Sequence, residues 1–367
     1  MREYLLTLLV AAGATYLLVA LTGKIAYAVG AVPPTRDRDV HRAPVPRLGG
    51  RAMLGGLLCA MLVASYLPRM SERVFEQSND AQALVTAAAV ICLVGVADDI
   101  WGLSALAKFA GQLLAGGLLV VQGVQLFWLP TPSGGTLALD QTQGAILTVL
   151  LVVATANAVN FVDGLDGLAA GVVGIGAAAF FSYAYLLAVE GGFSRLTTSA
   201  LITAVLCGMC AGFLPHNVHP ARNFMGDSGS MLIGLLLAAG SISLTGSFPT
   251  TPESATFLLA LLPLLLPLAV IALPFTDLLM AVLRRTRAGR SVFAPDKQHL
   301  HHRLLEIGHS HGRAVFLMWV WAALVSFGLV VIALVGGWTA PVVIGLAVVL
   351  TVLVTTGHPR ALLGNSR

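Results

Sequence analysis

Carboxylates, side-chain amides and fixed cations gather in a few short stretches of an otherwise apolar chain. In Gly95-Val-Ala-Asp98-Asp99-Ile-Trp-Gly two adjacent acids close an apolar run. At a membrane boundary such a pair costs free energy unless a cation neutralises it. Lys108 follows closely enough to help, and the plainer alternative is a solvated helix end. The second stretch is Asn157-Ala-Val-Asn160-Phe-Val-Asp163-Gly-Leu-Asp166-Gly. Read as a helix, residues three apart drift slowly around one side. Asn157, Asn160, Asp163 and Asp166 would then share a face and need an ion or a phosphate as partner. The third, Phe224-Met-Gly226-Asp227-Ser228-Gly-Ser230, opens another apolar run. Asp227 or Ser228 there would cap a helix, and the free amides of its first turn favour an anion. Asn217 and Arg222 lie shortly upstream, Arg222 as a phosphate ligand.

A fourth stretch runs from 284 to 313 and holds Arg284, Arg285, Arg287 and Arg290, then Asp296-Lys-Gln-His299-Leu-His301-His302-Arg303. On a short helix His299 and His302 share a face. The cluster suits a diphosphate best, with a transition metal or lipid headgroups as other partners. Asp277 has Arg284 and Arg285 as ready ion-pair partners. The basic, turn-rich stretch Arg36 to Gly50, with His41, meets either a nucleotide phosphate or lipid headgroups.

These stretches must be carried by membrane helices. Hydrophobic residues make up 57% of the 367, charged residues only 10%, and the mean hydropathy is +0.87. Soluble chains are about a quarter charged, so this one lacks the groups to cover a water-wetted surface. The net charge of +4 does not point to nucleic acid, because the basic residues fall in gaps between apolar runs. Cys59, Cys92, Cys207 and Cys210 all sit inside such runs; Cys207 and Cys210 have redox spacing but read as packing by small residues.

Runs of about 17–25 apolar residues span a bilayer as helices. Eleven are present, at 4–22, 48–67, 81–97, 105–123, 144–160, 167–188, 198–214, 229–246, 255–283, 314–335 and 338–355. The expected fold is an all-α polytopic membrane bundle of about 11 transmembrane helices, with the ninth broken at its prolines. No linker separates domains, so 1–367 reads as a single membrane domain, with 284–313 a cytoplasmic His/Arg loop within it. The first run lacks a small-residue cleavage site and reads as a retained span. Alternate loops hold seventeen Lys and Arg against four. The positive-inside rule then sets the N-terminus outside, the C-terminus in the cytoplasm and the polar clusters on the cytoplasmic face.

Oxygen-rich side chains, an anion-binding helix start and fixed cations suit Mg²⁺ and phosphoryl transfer. An apolar bundle around them suggests that one substrate is a lipid. A cation-coupled transporter is the competing class, but carriers place their charges near the bilayer midplane.

The ordered motifs Pro46-Arg-Leu-Gly-Gly50, Asp98-Asp99, Asn160-Phe-Val-Asp163-Gly-Leu-Asp166-Gly, Phe224-Met-Gly-Asp-Ser-Gly-Ser230 and Asp296-Lys-Gln-His-Leu-His-His302 span nearly the whole chain. In them the chain resembles the polyprenyl-phosphate N-acetylhexosamine-1-phosphate transferase superfamily. It is more similar to the WecA/TagO branch than to the phospho-MurNAc-pentapeptide translocases, which carry three consecutive histidines. The resemblance implies a UDP-GlcNAc donor, an undecaprenyl- or decaprenyl-phosphate acceptor, UMP release and Mg²⁺, with Mn²⁺ as a substitute. It also implies the bacterial cytoplasmic (inner) membrane, and homodimers occur by family analogy. Asp227 would be the first metal ligand and Asn160 the second. Phe224 would stack on uracil, with Asn217 and Asp163 at the nucleoside. Asp98 and Asp99 would sit at the lipid phosphate with Lys108, and His299, His301, His302 and Arg303 would hold sugar or diphosphate. Asn157 and Asp166 complete the candidate set as a substrate-binding amide and a catalytic acid.

Overall fold

Backbone polar groups find no water inside a bilayer, so each apolar run must close its own hydrogen bonds as helix. In a computed structural model, the described residues are 1–29, 45–47, 49–131, 135–189, 196–247, 260–268, 310–335 and 338–356. Among them the helices are α1 (Arg2–Val29), α2 (Gly49–Ser65), α3 (Asp80–Trp101), α4 (Ala105–Val121), α5 (Gln141–Val162), α6 (Leu168–Val189), α7 (Thr197–Asn217), α8 (Gly226–Ser247), α9 (His311–Val335) and α10 (Thr339–Thr356). Seven are long and apolar enough to cross a membrane, or eight if the bent α2 and Pro68–Glu76 pair is one span, among the described residues. The chain is a polytopic membrane protein, and its described residues are mostly helical.

Three details depart from the expected runs. The second run turns through 90° after α2, at Pro68, and continues as a π-helix over Ser71–Glu76. A small hairpin, Trp128–Pro130 paired antiparallel with Thr136–Ala138, interrupts the helices. The broken ninth run is described only over 260–268, where the carbonyl of Pro263 accepts from Ser241 Oγ at 2.6 Å.

At the bundle's centre lies α8, buried along nearly its whole length. It is packed against α3, α5, α7 and α2. Without a hydrophobic drive between lipid-bathed helices, close approach rests on small residues. Gly208 and Gly212, one turn apart on α7, face the backbone carbonyls of Leu8 and Ala12 so closely that neither position has room for a Cβ. This glycine pair, rather than the redox spacing of Cys207 and Cys210, is the structural content of that segment; the four cysteines are free thiols.

One polar contact lies deep between helices. Gln112 on α4 is only 2% exposed and exchanges two hydrogen bonds with Asn157 on α5. Its Nε2 donates to Asn157 Oδ1 at 3.3 Å, and Asn157 Nδ2 donates to Gln112 Oε1 at 2.6 Å. A buried amide stripped of its partner costs about 1–3 kcal/mol, whereas apolar replacement of both partners is nearly neutral. Gln112→Leu alone should therefore lower stability by about 1 kcal/mol, and adding Asn157→Leu should restore most of it. Thermal unfolding of the two single variants and the double variant in detergent checks this.

The ends of six helices converge at one end of the bundle: the C-termini of α3, α5 and α7, and the N-termini of α2, α4 and α8. The polar motifs sit there. The hairpin and the capping box of Asp140 and Gln143 that starts α5 lie at the opposite ends of these elements.

Candidate active site

The site begins where α3 stops. Gly102 takes the left-handed conformation (φ 67°) as the C-cap of α3, which only glycine adopts without strain. Ser104 then caps α4 by accepting from the Ala107 amide. This abrupt reversal folds Lys108 back over the end of α3. Its Nζ lies 3.2 Å from Asp98 Oδ2 and 2.9 Å from Asp227 Oδ2. Two acids from helices far apart in sequence are thus tied by one ammonium.

Asp99, the next residue, points elsewhere. Its Oδ1 accepts from the Asp227 amide at 2.9 Å. Its Oδ2 accepts from the Ser228 amide at 3.2 Å and the Ser228 hydroxyl at 2.8 Å. The first-turn amides expected to meet a bound anion therefore meet a carboxylate of the protein itself.

A second clamp holds the stretch before α8. The Phe224 amide donates to the Pro46 carbonyl, and the Gly49 and Gly50 amides donate to the Phe224 and Met225 carbonyls, all at 2.9–3.1 Å. Pro46, Gly49 and Gly50 thus act as a backbone brace. Gly50 lies against Gly229 and Ser228, and Gly95 on α3 against the backbone of Ser228, each so closely that a Cβ would overlap its neighbour.

Together these elements enclose a cavity of about 380 Å³ lined by Arg47, Asp98, Asp99, Lys108, Asn160 and Asp227, with Ile100, Trp101 and Gly102 at its lip. Asn160 reaches it from the last turn of α5 and donates to Ser230 Oγ at 3.0 Å. Ile100 and Trp101 are 55% and 75% exposed, so a polar chamber opens beside an apolar edge. Arg47 is not singled out by the sequence; it belongs to the basic stretch expected to meet a nucleotide phosphate or lipid headgroups, and spacing alone does not connect that stretch to the acids.

Other predicted residues lie outside this cavity. The helical face expected for 157–166 does not form, because α5 ends at Val162 and Asp163 is its C-cap. Asn157 turns to Gln112. Asp166 is 6% exposed, and its Oδ2 accepts from His219 Nδ1 at 2.8 Å and the Ala221 amide at 3.1 Å. Asn217 is buried: its Oδ1 accepts from the Gly167 amide and its Nδ2 donates to the Asn223 carbonyl. These bonds tie the turn after α5 to the loop before α8, where substrate contacts were expected. Arg222 is exposed, and Phe224 is held by its backbone without lining the cavity. His311 stacks on His219 with centroids 4.3 Å apart; with Asp166 they bring three donor atoms within 4.8 Å of one another. His299, His301, His302 and Arg303, the rest of 284–309, and also His41 and Asp277 lie outside the described residues.

Burial pushes the Asp163 carboxyl up to about 7; the charges of Asp227, Asp99 and Asp166 add to the push, and Arg47 opposes it. An unfolded aspartate loses its proton near pH ~3.9. Between that pH and about 7 the folded chain holds a proton that the unfolded chain has released. Stability therefore falls as pH rises through this window. Asp163→Asn should flatten the fall and unfold at a higher temperature than the unsubstituted protein at pH 8, with little difference at pH 4; unfolding temperature against pH checks it.

Comparison with known proteins bears on the same residues. The family model described as glycosyl transferase family 4 matches residues 81–245, which span Asp98, Asp99, Lys108, Asn160 and Asp227. The decaprenyl-phosphate N-acetylglucosaminephosphotransferase of Mycobacterium leprae is 49% identical over 332 residues, 89% of this chain and 83% of its own. The chain belongs to the polyprenyl-phosphate N-acetylhexosamine-1-phosphate transferase superfamily. Within it, the Mycolicibacterium smegmatis protein of the same description is 46% identical over 359 residues, 97% of this chain and 88% of its own. A phospho-N-acetylmuramoyl-pentapeptide-transferase from Desulforudis audaxviator is 31% identical over 345 residues, 86% of this chain and 95% of its own. The 46–49% identity to the two decaprenyl-phosphate N-acetylglucosamine enzymes, against 31% to the pentapeptide transferase, places the chain on their branch, in agreement with the broken histidine run.

Proposed function

We propose that this membrane enzyme transfers GlcNAc-1-phosphate from UDP-GlcNAc to a polyprenyl phosphate, releasing UMP and starting a lipid-linked envelope glycan. The observation that carries the reading is the cavity where Lys108 bridges Asp98 and Asp227 beside an apolar lip, in a chain 49% identical to decaprenyl-phosphate enzymes. Such a chamber suits a reaction between a water-soluble diphosphate and the phosphate of a membrane lipid.

The cavity holds three carboxylates against two cations, and both substrates add negative charge. Its donors are carboxylate and amide oxygens, with no described His or Cys among them, which fits Mg²⁺ and, as a substitute, Mn²⁺. Asp227 and Asn160 would hold the ion, which when bound neutralises the diphosphate of the donor. Lys108 and Arg47 are the chain's own fixed cations, placed to hold phosphate oxygens and to keep the acceptor and donor from repelling each other. A phosphate monoester has its second pKa near ~6, so the acceptor is mostly dianionic at neutral pH and needs no general base. An acceptor oxygen forms the new bond to the β-phosphorus while the bond from that phosphorus to the bridging oxygen breaks, its electron pair leaving with UMP. Asp98 then serves to hold Lys108 in place rather than to remove a proton.

The same reading places eleven crossings in the bacterial inner membrane, with the cavity and the 284–313 loop on the cytoplasmic side and the loop's histidines over the donor. It rests on the seventeen-to-four split of basic residues. By analogy with the family, the assembly proposed is a homodimer.

Purified protein given UDP-GlcNAc, decaprenyl phosphate and Mg²⁺ should release UMP and form lipid-linked sugar in equal amounts, and a chelator should stop both. If none of UDP-GlcNAc, UDP-GalNAc and UDP-MurNAc-pentapeptide yields product with folded protein, the reading fails. A phosphorylated enzyme trapped with donor alone would replace the direct attack by a two-step route.

A further inference from the structure

Two acids side by side at a helix end invite a shared role, yet adjacent residues on a helix project about 100° apart. Asp98 points to Lys108 and the cavity, and Asp99 points to the start of α8. The first turn of a helix exposes amides that need an acceptor, and residue 225, just before Gly226, is a methionine with no side-chain acceptor to offer. Asp99 supplies it from another helix with three hydrogen bonds of 2.8–3.2 Å, two of them from the amides of Asp227 and Ser228. The carboxylate also matches the positive end of the α8 dipole. Gly226 makes the room: with φ at +70°, a Cβ there would lie 2.6 Å from Asp99 Oδ2 and 2.7 Å from Oδ1. Gly95, one turn before Asp99 on the same face, brings the α3 backbone against Ser228.

We infer that Asp99 is a positioning residue: it caps α8 from a neighbouring helix, and through that cap it fixes the direction in which Asp227 enters the cavity. The tandem acids thus divide, one facing substrate and the other holding the helix that carries the partner acid. The inference rests on the transferase reading only where activity is measured.

The test uses the full chain in lipid nanodiscs, comparing Asp99→Asn, Asp99→Ala, Gly226→Ala and Asp98→Asn with the unsubstituted protein. Hydrogen exchange of the peptide covering the start of α8 is followed without substrate. Exchange of the Asp227 and Ser228 amides should speed up at least ten-fold in Asp99→Ala and in Gly226→Ala, less in Asp99→Asn, which keeps one acceptor oxygen, and not at all in Asp98→Asn. In turnover assays the Asp99 and Gly226 variants should need at least ten-fold more Mg²⁺ for half-maximal rate while the KM for acceptor lipid stays unchanged.

Unchanged exchange at the start of α8 in Asp99→Asn would overturn the inference. So would loss of turnover in Asp99→Asn with an unaltered Mg²⁺ requirement and a raised acceptor KM, because Asp99 would then be acting on the lipid phosphate. If Asp99→Ala does not fold, Asp99→Asn and Gly226→Ala still decide. A protein that makes no product from UDP-GlcNAc refutes the assigned reaction, while the exchange rates still decide whether Asp99 caps α8.

Discussion

Asp227→Asn should abolish measurable transfer, lowering kcat/KM by about 10³-fold or more, the scale of removing a group placed to stabilise charge in phosphoryl or acyl transfer. The substitution preserves volume and leaves the amides at the start of α8 with their Asp99 cap, so the fold should survive. What it removes is one of the two carboxylates on Lys108, the one at 2.9 Å; the other, Asp98 at 3.2 Å, remains. It also removes the anionic donor best placed for a divalent ion. Initial rates of UMP release, with thermal unfolding on the same preparation, separate loss of chemistry from loss of structure. Activity within ten-fold of the unsubstituted enzyme would move the reaction centre away from α8.

The second large effect should come from a residue with no chemistry. Gly50→Ala places a methyl group against Gly229 and Ser228, where a Cβ already overlaps its neighbours. Neither neighbour can yield cheaply, since one is backbone and the other is held by Asp99. Overpacking of this kind costs about 1–3 kcal/mol, and here the strain falls on the turn that carries Asp227. A fall in unfolding temperature together with a loss of transfer greater than ten-fold is therefore expected. Gly117→Ala on α4 is the control: its Cβ would meet nothing within 4 Å, so stability should not fall and should rise by up to about 1 kcal/mol from the better helix propensity of alanine. Equal behaviour of the two variants would show that α2 and α8 are not in backbone contact.

Both effects concern the same few residues, and the sequence locates most of them without saying how they act. Spacing marks Asp98 and Asp99 as a pair, because a pair is all that a one-dimensional pattern presents. Both line the cavity, but their separation into a partner of Lys108 and a helix cap depends on the rotation of α3 about its axis relative to α8, whose Asp227 amide lies 128 residues along the chain. Asn157, Asp166 and Asn217 stand out as polar groups in an apolar context, and polar they are. Each is engaged in bonds among Gln112, His219, Ala221, Gly167 and Asn223. A buried amide or acid must find a partner, but composition alone does not distinguish substrate from protein in that role. Gln112 escapes notice for the converse reason, as a single residue in a segment whose neighbours give no chemical pattern, and Arg47 stands out only as one of several basic residues in its stretch.

The order of residues is enough to dictate the class of fold and the end of it that matters. Apolar runs of bilayer length can only be helices, since the backbone has no other partner in lipid. Acids that cannot stay in mid-span then collect at helix ends, and the ordered motifs around them identify the superfamily. Packing in three dimensions chooses which side chains line the cavity, requires glycine at positions 50, 95 and 226, and makes Asp99 the anion at the start of α8. Those outcomes depend on the azimuth and separation of helices brought together from distant parts of the chain, and periodicity within one helix carries no information about its neighbour.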